Sequence, residues 1–432
     1  MAVGINVGIN TTGRVKKAQR NVQVTQRRHV LAPDVLVLLC GVVAAMHVGK
    51  LPTALPVLRD TFGLSLVESG FLLSLVQAAA MTLALAVGLA VDRMGLRAAL
   101  LVGLVTLAAA SAAGSAAQSA AALAAWRATE GLGFLFVTLA APALIRRLVP
   151  AERINERMGW WGAYMPSGTA LALVGGPWIM AAGGWSGWWM VLAGLAALAA
   201  AWSAYALPAE STHLTHPTHP SHTSWAAPVR DTITARGPWL LALTFAAYSS
   251  QWLTVIGFLP TLYADAGIAA STAGLLTAGV ALANVLGNVA SGRLLQRGVP
   301  RLVLLWTGFA TMACGALVAF GLEAQTSPGM RYVAVWLFSA VGGLIPGTLF
   351  ATAVHVAPNE RALPTVMGWL IQWSAVGQFV GPPLAAWWTS HHGGWSTTWV
   401  TTGSAAVLGA VLSLAVARVH GAAQSPNPRP SS

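Results

Sequence analysis

Twelve stretches of about 20 apolar residues each, separated by short polar turns, leave this chain few folds to choose from. They lie at about 34–57, 66–91, 96–117, 119–146, 157–182, 187–207, 237–263, 270–293, 300–322, 331–356, 363–388 and 395–418. A run of that length crosses the hydrocarbon of a bilayer as a helix, because no water is present there to satisfy the backbone and a helix satisfies its own. Charge content agrees. Only 8% of the 432 residues are charged, against roughly 25% in a soluble domain, so too few remain to coat a water-exposed surface.

The net charge of +12 would suggest nucleic acid on a soluble protein; here its placement carries the information. Twenty of the 24 Lys and Arg residues fall on the side that holds the N-terminus, whereas the other side has only Arg59 and Arg331. Lys50 and Arg127 lie within spans. That bias puts both termini on the cytoplasmic face of an inner (plasma) membrane and requires an even number of crossings. The expected organisation is a basic cytoplasmic tail at 1–32, a six-helix bundle at 33–207 and a cytoplasmic His/Pro-rich linker at 208–236. A second six-helix bundle at 237–418 and a short tail at 419–432 complete it. The basic tail has no apolar core of the kind a cleavable signal needs and reads as a solvated or lipid-surface arm.

The two halves repeat at an offset near 205–210 residues. Met158-Gly159-Trp160-Trp161 returns as Met367-Gly368-Trp369-Leu370, and Glu152-Arg153 as Glu360-Arg361. Gly176-Pro177 corresponds to Gly381-Pro382, and Gly183-Gly184-Trp185-Ser186 to Gly393-Gly394-Trp395-Ser396. An internal duplication of six-helix units places a binding site at their shared interface near the bilayer midplane.

Between the second and third spans stands Gly88-Leu-Ala-Val-Asp92-Arg93-Met-Gly95-Leu-Arg97. Its glycines permit a tight turn, and its arginines hold the loop on the basic side. This segment resembles the signature loop of the major facilitator superfamily. The resemblance implies an all-α membrane protein of twelve helices in two pseudo-symmetric bundles, and a conformational latch at Gly88, Asp92, Arg93, Gly95 and Arg97. In the second half Gly292-Arg-Leu-Leu-Gln296-Arg297-Gly298 is a degraded copy with glutamine in place of the acid, so the latch is expected to be asymmetric. Arg127-Ala-Thr-Glu130-Gly131-Leu-Gly133 is similar to the family's fourth-helix motif. Gly168 with Gly175-Gly176-Pro177 matches part of the fifth-helix motif associated with antiporters, without the glycine pair expected after the proline. The run Gly49-Lys50-Leu-Pro52-Thr-Ala-Leu-Pro56 loosely resembles cyanate- and nitroimidazole-permease-like members and organic-anion carriers.

Ionisable groups at bilayer depth cost roughly 2.5–3.5 kcal/mol each, so every one is a functional candidate. Lys50 lies nine residues before Arg59, and Arg127 nine after Gln118. At 1.5 Å per residue both sit about 13 Å below the outer face, near the midplane. Two cations at one depth suit a carboxylate or a small inorganic anion. Glu130 is the one acid well inside a span and the candidate proton carrier, with His47 one turn from Lys50 as a second titrating group. Two readings of Arg127 and Glu130 remain open: a proton-switched pair that frees the arginine for an anion, or a permanent structural pair. Tyr164, Gln251, Gln372 and Trp373 are expected to complete the substrate site. Tyr164 and Trp373 stand at equivalent places in the repeat, and Gln77, Trp161, Tyr248, Trp252, Asn284 and Asn288 are further candidates for its lining. Pro346 and Pro382 are expected to mark bends.

His213, His216, His219 and His222 form a period of three in the linker, but an extended polyproline-like segment would hold neighbours about 9 Å apart, too far to share one ion. No metal or cofactor is expected. Cys40 and Cys314 sit in apolar runs and indicate neither a disulfide nor a zinc site. The polar segments hold no nucleotide loop or nucleophile arrangement, which argues against an enzyme. The expected function is uptake of a small organic or inorganic anion with protons, by a monomer that requires a bilayer and no nucleic acid. Export of a drug or metabolite is the alternative within the class, and a non-transporting membrane sensor the alternative outside it.

Overall fold

The computed structural model describes residues 32–208, 226–359 and 362–424. The N-terminal tail, the histidine run of the linker and the end of the C-terminal tail lie outside the described residues, as do Glu360 and Arg361 of the repeat and the side chain of Asp92.

Helix α1, Pro33–Phe62, starts with proline in its first turn and ends on Gly63, whose left-handed backbone (φ 63°, ψ 34°) returns its N–H to the Arg59 carbonyl. The next crossing opens with a capping box: the Ser65 hydroxyl accepts from the Glu68 N–H, and Glu68 accepts from the Ser65 N–H. It is assembled from α2 (Leu66–Ser74), a 3-10 turn (Leu75–Gln77) and α3 (Ala78–Met94). Helices α4 (Leu96–Ser115), α5 (Ala120–Leu148), α6 (Ile154–Gly162) and α7 (Tyr164–Ala206) follow. After α8 (Ala226–Thr234) come α9 (Arg236–Asp265), α10 (Ala270–Gln296), α11 (Arg301–Ala316), α12 (Pro328–Gly342), α13 (Leu344–Val356), α14 (Leu363–His391) and α15 (Thr398–Gln424).

Among the described residues, ten helical runs are long and apolar enough to cross a membrane. One of them, residues 151–206, is twice too long for a single crossing: the 43 residues of α7 alone would extend about 65 Å against about 30 Å of hydrocarbon. It turns back at Gly184 (φ 64°, ψ −176°), a conformation that a residue with a Cβ strongly disfavours. That reversal and the 29-residue α14 bring the crossings to twelve. The sequence led us to expect a short loop between the fifth and sixth spans; a single glycine makes the turn instead. Its repeat mate Gly394 has nearly the same backbone (φ 82°, ψ −163°), and the tryptophans that follow, Trp185 and Trp395, each pack on a phenylalanine, Phe62 and Phe258. The duplication therefore extends to local geometry. Of the two expected proline bends, neither breaks its crossing: Gly343, three residues before Pro346, keeps helical angles (φ −58°, ψ −17°) with its N–H on the Ser339 carbonyl, and α14 runs through Pro382.

One large apolar cluster is built mainly from α1 and α3–α5, and another mainly from α9–α15. A third joins the ends of the crossings remote from Pro33, where Leu55, Leu58, Leu72 and Leu73 meet Phe258. At this far side the backbones of the two sequence halves approach closely. A Cβ built on Gly70 of α2 would stand 2.8 Å from the Pro383 Cα of α14, and one on Gly274 of α10 would stand 3.1 Å from Pro177 of α7. At the near side, Gly159, Gly162 and Gly368 face open space. The molecule is thus closed at the far side.

Candidate functional site

His47 and Lys50 lie one turn apart on α1, and Arg127 and Glu130 one turn apart on α5, so when the two helices pack, four polar side chains meet. All four are completely buried, at 0% exposure. Glu130 is the hub. Its Oε1 accepts from Lys50 Nζ and its Oε2 from Arg127 Nη1, while His47 Nδ1 stands 3.7 Å from Oε1, too far for a hydrogen bond.

Side chains of α4 and α7 back this cluster. Lys50 Nζ donates to Ser111 Oγ (2.8 Å), which donates onward to the Trp189 carbonyl (2.9 Å), and the ammonium sits 4.4 Å from the centre of the Trp189 ring. Trp188 Nε1 donates to the Lys50 carbonyl (3.3 Å), and Arg127 Nη1 to the His47 carbonyl (2.8 Å). Small residues make this density possible, since a Cβ on Gly49 would stand 2.7 Å from the Thr169 Cα on α7.

With lysine, arginine and glutamate ionised, two cations share one carboxylate, leaving a net positive charge in a sealed interior. Among the described residues, Arg127 Nε and Nη2 and both ring nitrogens of His47 have no hydrogen-bond partner. A buried ion pair recovers its desolvation cost only when its remaining donors are satisfied, so the open donors make this a site suited to an acceptor.

The other expected site residues lie elsewhere. Tyr164 stacks on Trp161 (4.1 Å between ring centres), which is wedged against Gly41 of α1. Gln251 is buried on α9, donating to the Ala247 carbonyl (2.8 Å) with Oε1 unpaired. Gln372 reaches from α14 to the Met81 carbonyl of α3 (2.9 Å), also with Oε1 unpaired. Trp373 packs beside Trp239 and Trp369. Of the further candidates, Gln77 bonds Gln378 across the halves (3.0 Å). Tyr248, Trp252, Asn284 and Asn288 bond among themselves and to Ser339, a network within the second sequence half.

Sequence reasoning missed Ser111, Trp188 and Trp189. Ser111 stands in an alanine-rich helix and the tryptophans among several others near a helix turn; only the packing of α4 and α7 on α1 turns them toward Lys50. In the signature loop, Gly95 (φ 89°, ψ 153°) joins α3 to α4, Gly88 faces open space and Arg93 is exposed. Arg97 donates to the Ala204 carbonyl (2.6 Å) in the last turn of α7, where a cation also suits the negative end of the helix. Gly168 and Gly176 of the partial fifth-span motif seat α7 on Ala45 and Thr53 of α1.

The family model described as the Major Facilitator Superfamily matches this chain twice, at residues 37–261 and 240–431. The chain belongs to the major facilitator superfamily. Among solved structures, a bacterial homologue of the human lysosomal transporter Spinster is similar in its inward-facing unoccupied form (TM-score 0.76, 16% identity, covering 91% of this chain and 98% of that one). Its inward-facing occupied form is similar at TM-score 0.76 and 15% identity, with the same coverage. A D-xylose-proton symporter matches at TM-score 0.71 and 17% identity, over 89% of this chain and 97% of that one. At such identities the likeness is one of fold. No curated protein matches the chain. Family membership makes this a multi-pass membrane transporter of small molecules and not an enzyme.

Proposed function

We propose that this major facilitator protein takes up a small anion together with protons, using Lys50, Arg127 and Glu130 as its charge-handling centre. The observation that carries the reading is the imbalance in the buried cluster: two cations against one carboxylate, with Arg127 Nε and Nη2 and the His47 ring lacking partners. Protonation of Glu130 would release both cations from their shared carboxylate and raise the centre's positive charge, so proton and anion favour each other's binding by simple electrostatics. Tyr164, Gln251, Gln372 and Trp373 would contact the cargo in the crevice between two rocking bundles, 33–207 and 237–418, with Gly88–Arg97 as the latch between states. The charge bias of the loops supports an orientation in the inner membrane with both termini cytoplasmic, and a monomer is part of the same proposal. In the partial fifth-span motif, which would favour export, Gly168 and Gly176 pack against α1.

A thermal-shift screen of the purified protein with acetate, benzoate, cyanate, nitrate, xylose and alkylamines tests the cargo class. Stabilisation by one of the anions, lost in Lys50→Ala, is the expected result. An anion effect that survives Lys50→Ala refutes the site, and stabilisation only by xylose or an amine refutes the cargo. Proton-driven uptake of the anion found should fall in Glu130→Gln; uptake at full rate would remove the proton role.

A further inference from the structure

The second crossing is interrupted at mid-depth by the 3-10 turn Leu75–Gln77, and both faces of that turn are occupied. Toward the first half, the Val76 carbonyl lies against Gly131, the residue after Glu130: a Cβ there would collide with the Val76 carbonyl oxygen and stand 2.9 Å from its carbon, and Val76 is fully buried. There is no slack at this contact, so a movement of the α5 turn that carries Glu130 must displace the Val76 backbone. Toward the second half, Gln77 Nε2 donates to Gln378 Oε1 (3.0 Å), and Gln378 Nε2 to Ser374 Oγ (3.3 Å). The Ser374 carbonyl in turn accepts from Ser249 of α9 (2.8 Å). One turn of backbone therefore touches the residue next to the buried carboxylate on one side and a hydrogen-bond chain into the opposite half on the other.

We propose that this turn relays the charge state of Glu130 to the contact between the halves, with Val76 and Gln77 as positioning residues for coupling; the inference rests on the proton-coupled reading above. The groups facing Glu130 are Lys50 and His47 from α1 and Arg127 on its own helix; Ser111 of α4 and Trp189 of α7, which back Lys50, do not ionise near neutrality, and the turn itself presents none. When Glu130 is protonated, the pull of Lys50 on the α5 turn weakens. Gly131 then shifts against Val76, and the Gln77–Gln378 bridge loosens as a consequence. A relay of this kind is a contiguous chain of packed atoms with two arrangements, and it calls for coupling measurements rather than proximity alone.

The test uses the full chain in lipid nanodiscs, with spin labels at Gly162→Cys and Gly368→Cys, both facing open space, in a Cys314→Ala background. Two quantities are followed between acid and alkaline pH: the ratio of inter-label distance populations, and the infrared carboxylic-acid band that disappears in Glu130→Gln. In the parent protein the ratio should shift about fivefold, the lower end of ordinary coupling, and Gln77→Ala or Gln378→Ala should keep the band while the shift falls below about twofold. Use of both glutamine variants guards against one of them failing to fold. If either variant follows pH as the parent does, the relay is overturned and the proton role survives. If Gln77→Ala removes the band together with the shift, Gln77 acts on protonation itself and the relay is also overturned. If the parent shows neither band nor shift, the proton-coupled reading fails and takes the relay with it.

Discussion

Glu130 is the single counter-ion for two sealed cations, so replacing it and replacing one of its partners should have unequal effects. In Glu130→Gln, Lys50 and Arg127 both remain at 0% exposure with no carboxylate between them. Breaking a buried pair in this way costs about 3–5 kcal/mol, because the desolvation of the remaining charges is no longer offset. Lys50→Met is different. It removes the bonds to Glu130 and Ser111 and the approach to Trp189, but leaves Arg127 and Glu130 as a balanced pair. A lost charge-assisted hydrogen bond costs about 1.5–3 kcal/mol, reduced here because an ammonium no longer has to be desolvated. Glu130→Gln should therefore be the less stable of the two by about 2 kcal/mol. Unfolding in detergent followed by tryptophan fluorescence measures this, since the 19 tryptophans include Trp188 and Trp189 of the site itself. A Glu130→Gln protein as stable as the parent, or a Lys50→Met protein less stable than Glu130→Gln, would show that the cluster is not two cations balanced on one carboxylate.

Two further outcomes follow from packing alone. Gly168→Ala should destabilise the protein by about 1–3 kcal/mol, because the added Cβ would stand 2.5 Å from the Ala45 Cβ and must push α7 off α1; a thermal unfolding profile unchanged from the parent contradicts that contact. Of the two thiols, Cys40 is buried beside the Ser203 hydroxyl (3.2 Å) and Cys314 faces outward from α11 at hydrocarbon depth, so a water-soluble maleimide should label neither in the folded protein in lipid and both after denaturation; labelling before unfolding contradicts these placements.

The membrane-spanning all-α class, twelve crossings and an internal duplication were legible in the sequence, because the bilayer imposes a length and a polarity on every segment independently of how segments pack. The depth argument also put Lys50 and Arg127 at one level, since rise per residue is a property of the helix alone. Rotation about the helix axis is not. Whether a residue at that level faces its own bundle or the crevice depends on which neighbour is close, and this is decided by contacts such as Gly49 on Thr169 and Gly168 on Ala45, between residues over a hundred positions apart. For the same reason Ser111 and Trp189 join the cation cluster although nothing marks them in the chain, while Tyr164, Gln251, Gln372 and Trp373 stand elsewhere. What the sequence determined by itself was how many times the chain crosses and which charges enter the membrane. The tertiary structure decided which of those charges meet, because side-chain contact depends on helix rotation and close backbone approach, and both are set by packing across the whole molecule.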